Sequence, residues 1–281
     1  MREDTIAKTD DVSKVIDTGH REPGSYFNAF SEEWEIRKRV FADGQMEIVA
    51  KKYDRYEGVL QFGSPSPHTK RGEAEDRENS IRCATERAKQ RVRLLCKTMG
   101  ADRMLTLTYR ENMTDRVRAK RDFDRFRRAM SKHRSFKYVC TMEQQERGAW
   151  HFHIAVKGRL VYQLVRSIWR KVVGQDNGTI HVSNPYGRRG GQHKLAAYLS
   201  KYITKNAALF ELNEKRYWCS KGIDVPEPER VAYYAHAKDV AEIMAECLTL
   251  ANREGNPLDL QAYYDKHSMF WMATGPLCRV E

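Results

Sequence analysis

His151-Phe-His153 sets two imidazoles two residues apart. In a strand, successive side chains alternate between faces, so both imidazoles share one face and Phe152 takes the other. Two neutral imidazoles side by side suit a divalent metal ion. The same spacing also describes two solvent-facing histidines on a half-exposed strand. Glu143 precedes a short polar turn leading to His151. In a hairpin its carboxylate comes near both rings. Two His and one carboxylate make a facial set for a hard or borderline metal, with positions left for water or phosphate. Glu146 and Gln144 are weaker choices, Glu146 because it falls in the turn.

Tyr198-Leu-Ser-Lys201-Tyr202-Ile-Thr-Lys205 holds two overlapping Tyr-x-x-Lys units. On a helix, Tyr198 and Tyr202 lie one turn apart on one face, with Lys201 and Lys205 beside them. A phenol is a poor nucleophile until a cation or metal lowers its pKa. A lysine one turn away supplies that cation or steadies a phosphate. Interfacial tyrosines with solvated lysines are the plainer reading.

These side chains need elements to position them. Met104–Tyr109 alternates and is β-rich, so it reads as a strand. Thr114 is the expected cap of a helix to about Lys132, with Val117, Phe123, Phe126 and Met130 inward. Strands follow at Phe136–Met142 and Trp150–Val156, then a helix at Leu160–Val173 stopped by Gly174. A strand at Thr179–Ser183, a Gly/Arg loop at Asn184–Gly191 and a helix at Gln192–Asn206 complete the run. Residues 79–98 read as a basic amphipathic helix stopped by Gly100. The order β-α-β-β-α-β is the ferredoxin-like (RRM-like) split βαβ arrangement within the α+β class. It implies an antiparallel sheet with helices on one face and a free face for nucleic acid. The expected division is residues 1–75 as an N-terminal accessory region, 76–225 as the functional domain and 226–281 as a helical C-terminal accessory region. The stretch 63–68 is the linker candidate, and 231–253 and about 257–268 look helical.

Charge sharpens the reading. The chain has 281 residues and a net charge of +12. Residues 76–205 alone hold 30 basic against 11 acidic residues, and both flanking regions are mildly acidic. So local an excess points to a polyanion, above all nucleic acid. Arg188 and Arg189 in the Gly-rich loop, Lys194, and Arg87 and Arg91 on the basic helix are the candidate phosphate contacts. No stretch approaches the ~20 apolar residues of a spanning helix. The start lacks the apolar run of a signal peptide, and the six Cys show no C-x-x-C pair, so a reducing cytoplasm fits. Absence of G-x-x-x-x-G-K-[ST] argues against an attached P-loop helicase.

Leu105-Thr-Leu-Thr108, His151-Phe-His153 and Tyr198-x-x-Lys201-Tyr202, in that order, resemble the HUH endonucleases that initiate rolling-circle replication. The paired tyrosines with a Lys before the second resemble the two-tyrosine initiators of single-stranded DNA phages. Glu143…Arg147-Gly148 and Arg216-Tyr-Trp-Cys-Ser-Lys-Gly222 are similar to phage and inovirus replication-associated proteins. The resemblance spans roughly residues 100–225. It implies Mg²⁺ or Mn²⁺ on His151, His153 and Glu143, and tyrosine attack on single-stranded origin DNA. A 5′-phosphotyrosine link, a 3′-hydroxyl primer and later rejoining follow from it. It also implies a separate host helicase and polymerase, and the host cytoplasm as the location. Tyr198 is the expected first nucleophile through Lys201, and Tyr202 with Lys205 the second, with roles free to alternate. A non-catalytic single-stranded nucleic-acid-binding module and an HUH transposase or relaxase are the competing readings.

Overall fold

The computed structural model describes residues 30–56, 73, 76–133, 135–183, 191–205, 210, 214–235, 238–265 and 268–277. The elements are β1 (Phe30–Val40), β2 (Met46–Tyr56), α1 (Arg77–Met99), β3 (Arg103–Tyr109), α2 (Arg116–His133), β4 (Tyr138–Gln144), β5 (Trp150–Val156) and α3 (Tyr162–Val173). They continue as β6 (Gly178–Ser183), α4 (Gly191–Lys205), β7 (Tyr217–Cys219), β8 (Glu229–Tyr234), α5 (Val240–Glu254), β9 (Asn256–Tyr264) and β10 (Met269–Gly275). This is a mixed α+β chain with two antiparallel sheets among the described residues. It divides into two compact units, Ser66–Val225 and the combined ends Met1–Pro65 and Pro226–Glu281. No helix among the described residues is long and apolar enough to cross a membrane.

The central unit carries the strand order β6-β3-β5-β4-β7. One face of its sheet buries Leu105, Leu107, Met142, Phe152 and Ile154 against Phe123, Phe126 and Met130 of α2 and Val165, Ile168 and Trp169 of α3. The second face is covered too, which corrects the expectation of helices on one face only. There Met104, Val139 and Ala155 pack with Val92 and Leu95 of α1 and Leu195, Leu199 and Ile203 of α4. A β-strand buried on both faces reads as a near-continuous apolar run. Val139-Cys140-Thr141-Met142 and Ile154-Ala155-Val156 have that character, and β5 is buried along its whole length.

Local signals account for most element ends. The Asp76 carboxylate accepts the Asn79 N–H at 2.8 Å, and Gly100 closes α1 at φ 64°, a left-handed conformation that favours glycine. Asp115, not Thr114, caps α2, accepting the Arg118 N–H at 3.0 Å. Val117 is 75% exposed, because Ala119 takes the inward position in that first turn. Gly148, at φ 87°, turns the β4–β5 hairpin and so sets Glu143 opposite His151 and Thr141 opposite His153. Phe152, fully buried, stacks on Phe123 with centroids 5.0 Å apart. Phe152→Ala is expected to cost about 3–5 kcal/mol, read as a lowered urea midpoint.

The two chain ends form one sheet, β8-β1-β2-β10-β9, with α5 on one face. Trp34, Ile36, Met46, Ile48, Phe270 and Met272 meet Ile243, Cys247 and Ala251 of α5 there. The helical reading of residues 226–281 is therefore corrected. Only Val240–Glu254 is helix, capped by Asp239, and β8, β9 and β10 make up most of the rest. The proposed linker at 63–68 lies outside the described residues.

Candidate functional site

The covered second face of the central sheet is polar toward the Thr108 end of β3. Strand alternation puts Thr106 and Thr108 of β3, Thr141 and Glu143 of β4, and His151 and His153 of β5 on that face. All but the two β3 threonines are buried. The Nδ1 atoms of His153 and His151 lie 3.4 Å from the hydroxyls of Thr106 and Thr108 respectively. Both Nε2 atoms are thereby turned away from these partners. A ring nitrogen held in this way fixes ring orientation, as partners of metal-binding histidines do.

The helix α4 closes the site. Leu195, Leu199 and Ile203 bury its apolar stripe, and Ser200 allows a close pass against α1, donating to the Lys89 carbonyl at 3.3 Å. That stripe fixes the rotation of the helix. The Tyr202 ring then lies flat on His153, with centroids 3.8 Å apart and planes 3° from parallel. Tyr198 stands edge-on to Tyr202 at 5.1 Å. The Tyr202 hydroxyl donates to the Tyr198 hydroxyl. Tyr202 is 8% exposed and Tyr198 50%. Lys205 Nζ donates to Glu143 Oε1 at 2.5 Å, and His153 Nε2 lies 2.7 Å from Glu143 Oε2.

Electrostatics separate these groups. Burial alone would raise the Glu143 pKa, but hydrogen bonds from His153 and Lys205 outweigh it and hold the carboxyl below its usual range. Burial pushes His151 down to about 4, helped by nearby His153 and Arg147 and opposed by Glu143, so its ring is neutral at physiological pH. Burial first, then the hydrogen bond to Tyr198, push the Tyr202 phenol above its ordinary value. The Glu143 contact raises Lys205.

His151 Nε2 is buried without a hydrogen-bond partner, as is Thr141 Oγ1. A neutral imidazole with its proton on Nδ1, toward Thr108, leaves that Nε2 lone pair open. The donors therefore fit a divalent cation in kind. Among the described residues, no group of three His, Cys, Asp or Glu side chains is arranged to hold a metal ion, and the Glu143 carboxylate is engaged by His153 and Lys205.

The structure thus gathers His151, His153, Glu143, Tyr198, Tyr202 and Lys205. Lys201 is exposed, on the outer side of α4. Arg87 and Arg91 are exposed on α1, and Arg91 bonds Tyr217. Arg188 and Arg189 lie outside the described residues, and Lys194 is described by its backbone alone. Thr106, Thr108 and Thr141 were legible only as half-exposed strand positions; their alternation with buried Leu105, Leu107 and Met142 is the signal that places them beside the histidines. Arg147, which acts on His151 through its charge, sits in the hairpin turn.

Residues 102–207 match a family model for replication-associated proteins of the ORF2 type. The matched span is under half of the chain, yet it contains every residue of the cluster. The match supports a replication initiator family, a role in replication initiation and binding to DNA at an origin. No curated protein and no solved structure matches the chain.

Proposed function

We propose that this protein is a metal-dependent nickase of the HUH two-tyrosine type, which opens single-stranded origin DNA and later rejoins it. On this reading, the β-α-β-β-α-β run with strand order β6-β3-β5-β4 is the ferredoxin-like arrangement, extended by β7. The observation that carries the reading is the convergence of two histidines, a carboxylate and two tyrosines on one sheet face, within the span of the family match. A non-catalytic module would use a free sheet face with stacking aromatics. Here α1 and α4 cover much of that face, and buried histidines take the central positions.

His151, His153 and Glu143 are the residues that would hold Mg²⁺ or Mn²⁺, which supplies charge neutralisation at the scissile phosphate. Tyr198, the exposed phenol, attacks phosphorus. An O–P bond forms to Tyr198 Oη, the bond to the 3′ oxygen breaks, and the phenolic proton ends on that oxygen by way of solvent. The Tyr202 hydroxyl, already donating to Tyr198, stabilises the negative charge that develops there. Lys205 keeps Glu143 ionised and close to the rings. Because the phosphotyrosine retains the ester, a later 3′-hydroxyl reverses the step and closes a circle. A host helicase and polymerase complete the proposed replication cycle.

Incubation with phage-derived single-stranded DNA and Mn²⁺ is expected to yield a covalent protein–DNA adduct that survives denaturing electrophoresis. No adduct across cognate and phage DNAs, with Mn²⁺ and Mg²⁺, would refute the nickase reading.

A further inference from the structure

The opposite face of the central unit carries a second feature. A groove of about 570 Å³ runs between α2 and the edge strand β7. Its floor includes Phe136, Tyr138 and the partly buried Trp218. Its walls carry Lys120, Arg127, Lys137, Lys215 and Lys221, against the single carboxylate of Asp124. That carboxylate is taken up by Arg127 and Arg128. Lys120 is paired with Glu214 at 2.7 Å, and Lys137 reaches the Gly222 carbonyl at 3.3 Å. Lys215 and Lys221 are exposed and have no carboxylate partner among the described residues.

The edge is built, not incidental. β7 pairs with β4 through Val139↔Cys219 and Thr141↔Tyr217. Ser220 locks it by exchanging backbone and side-chain hydrogen bonds with Tyr138, each 3.0 Å. This fixes Trp218 against Phe123, with centroids 6.2 Å apart, and holds Lys221 beside the groove. An aromatic floor between cationic walls is the arrangement that takes a single strand, with a base stacked below and phosphates at the sides. The volume is that of a small-molecule site, sized for one or two nucleotides and not for a duplex.

We infer that the α2–β7 groove is a second single-stranded DNA site, with Trp218 as the stacking residue and Lys215 and Lys221 as phosphate contacts. The inference rests on DNA being the substrate, and adds a place for a flank of the strand remote from the cut. Tyr138, in the groove, and Glu143, in the cluster, are five residues apart on β4, about 17 Å at strand rise, and face opposite sides. A strand passing round the short β7 edge links the two.

The test uses the full chain in EDTA, so that no metal-dependent step intervenes, and a fluorescent oligo-dT of about 30 nucleotides, longer than one binding site. The Lys215→Glu, Lys221→Glu double variant is expected to lower the dependence of log affinity on log salt by about 1.4, at ~0.7 per single-strand phosphate contact. At 0.1 M salt that slope corresponds to roughly 25-fold weaker binding. Oligo-dT is expected to quench tryptophan fluorescence, and Trp218→Phe to remove most of the quench. Unchanged affinity and slope in the double variant would overturn the site, as would an unchanged quench in Trp218→Phe. Equal competition by duplex DNA through the same lysines would overturn the single-strand assignment. Failure of adduct formation by the wild-type protein, with lysine-dependent binding intact, would remove the nickase reading and leave the groove standing.

Discussion

Tyr198→Phe is expected to slow formation of the covalent adduct by ~10⁴-fold or more, the scale seen when a nucleophile is removed from a working site. Tyr202→Phe is expected to cost only about 10–100-fold in the same first cut. The asymmetry comes from the environments of two tyrosines one helical turn apart. Tyr198 is half exposed and accepts a hydrogen bond from Tyr202. Tyr202 is buried, lies flat on His153, and is held protonated by burial and by its bond to Tyr198. Incoming DNA reaches the first and not the second. Losing the Tyr202 hydroxyl removes one hydrogen bond to a developing charge, worth about 1.5–3 kcal/mol. Single-turnover reactions with labelled single-stranded DNA, Mn²⁺ and excess protein would measure both rates. A dead Tyr202→Phe beside an active Tyr198→Phe would reverse the order of attack.

The central unit was largely legible because its signals are local. The alternation of Leu105-Thr-Leu-Thr108, the polar turn ending in Gly148 and the apolar stripe of Leu195, Leu199 and Ile203 each specify one element and one face. Tyr198 and Tyr202 sit at one-turn spacing, so their shared face followed from the helix alone. The hydrogen bond from Lys205 to Glu143 did not, since it needs the azimuth of α4 over β4, which depends on α1. Lys201 looked equivalent to Lys205 by spacing, but packing separates them.

The ends were misread for a different reason. β1 and β2 pair with β8 and β10, which lie about 200 residues away in sequence, so neither end buries its apolar face by local contacts. In β9, Leu260 and Tyr264 alternate with polar positions, and together they pack on the α5 core. Next to the true helix α5, that short run passes for more helix. Strand pairing across the whole chain decides such segments, and no window of residues contains it.

His151→Ala is expected to cut Mn²⁺-dependent nicking by roughly 10³-fold while changing stability by no more than about 1 kcal/mol. The rate follows from the several kcal/mol that a metal contributes to charge stabilisation, at tenfold per ~1.4 kcal/mol. The small stability effect follows from the structure. The side chain makes a single long contact, 3.4 Å to Thr108, and buries an Nε2 without any partner. Deleting a group that is already unsatisfied leaves no new orphan behind. Its neighbour Phe152 presents the reverse case, with the stacked ring in the α2 core and no atom at the site. Two adjacent residues on one strand thus divide the roles: Phe152→Ala should cost stability, and His151→Ala should cost metal binding and rate. Calorimetric titration of Mn²⁺ into both variants, alongside urea unfolding, separates the two effects. Unchanged Mn²⁺ binding in His151→Ala, or a stability loss as large as that of Phe152→Ala with nicking intact, would make His151 a structural residue. The metal-assisted part of the proposed function would then fall.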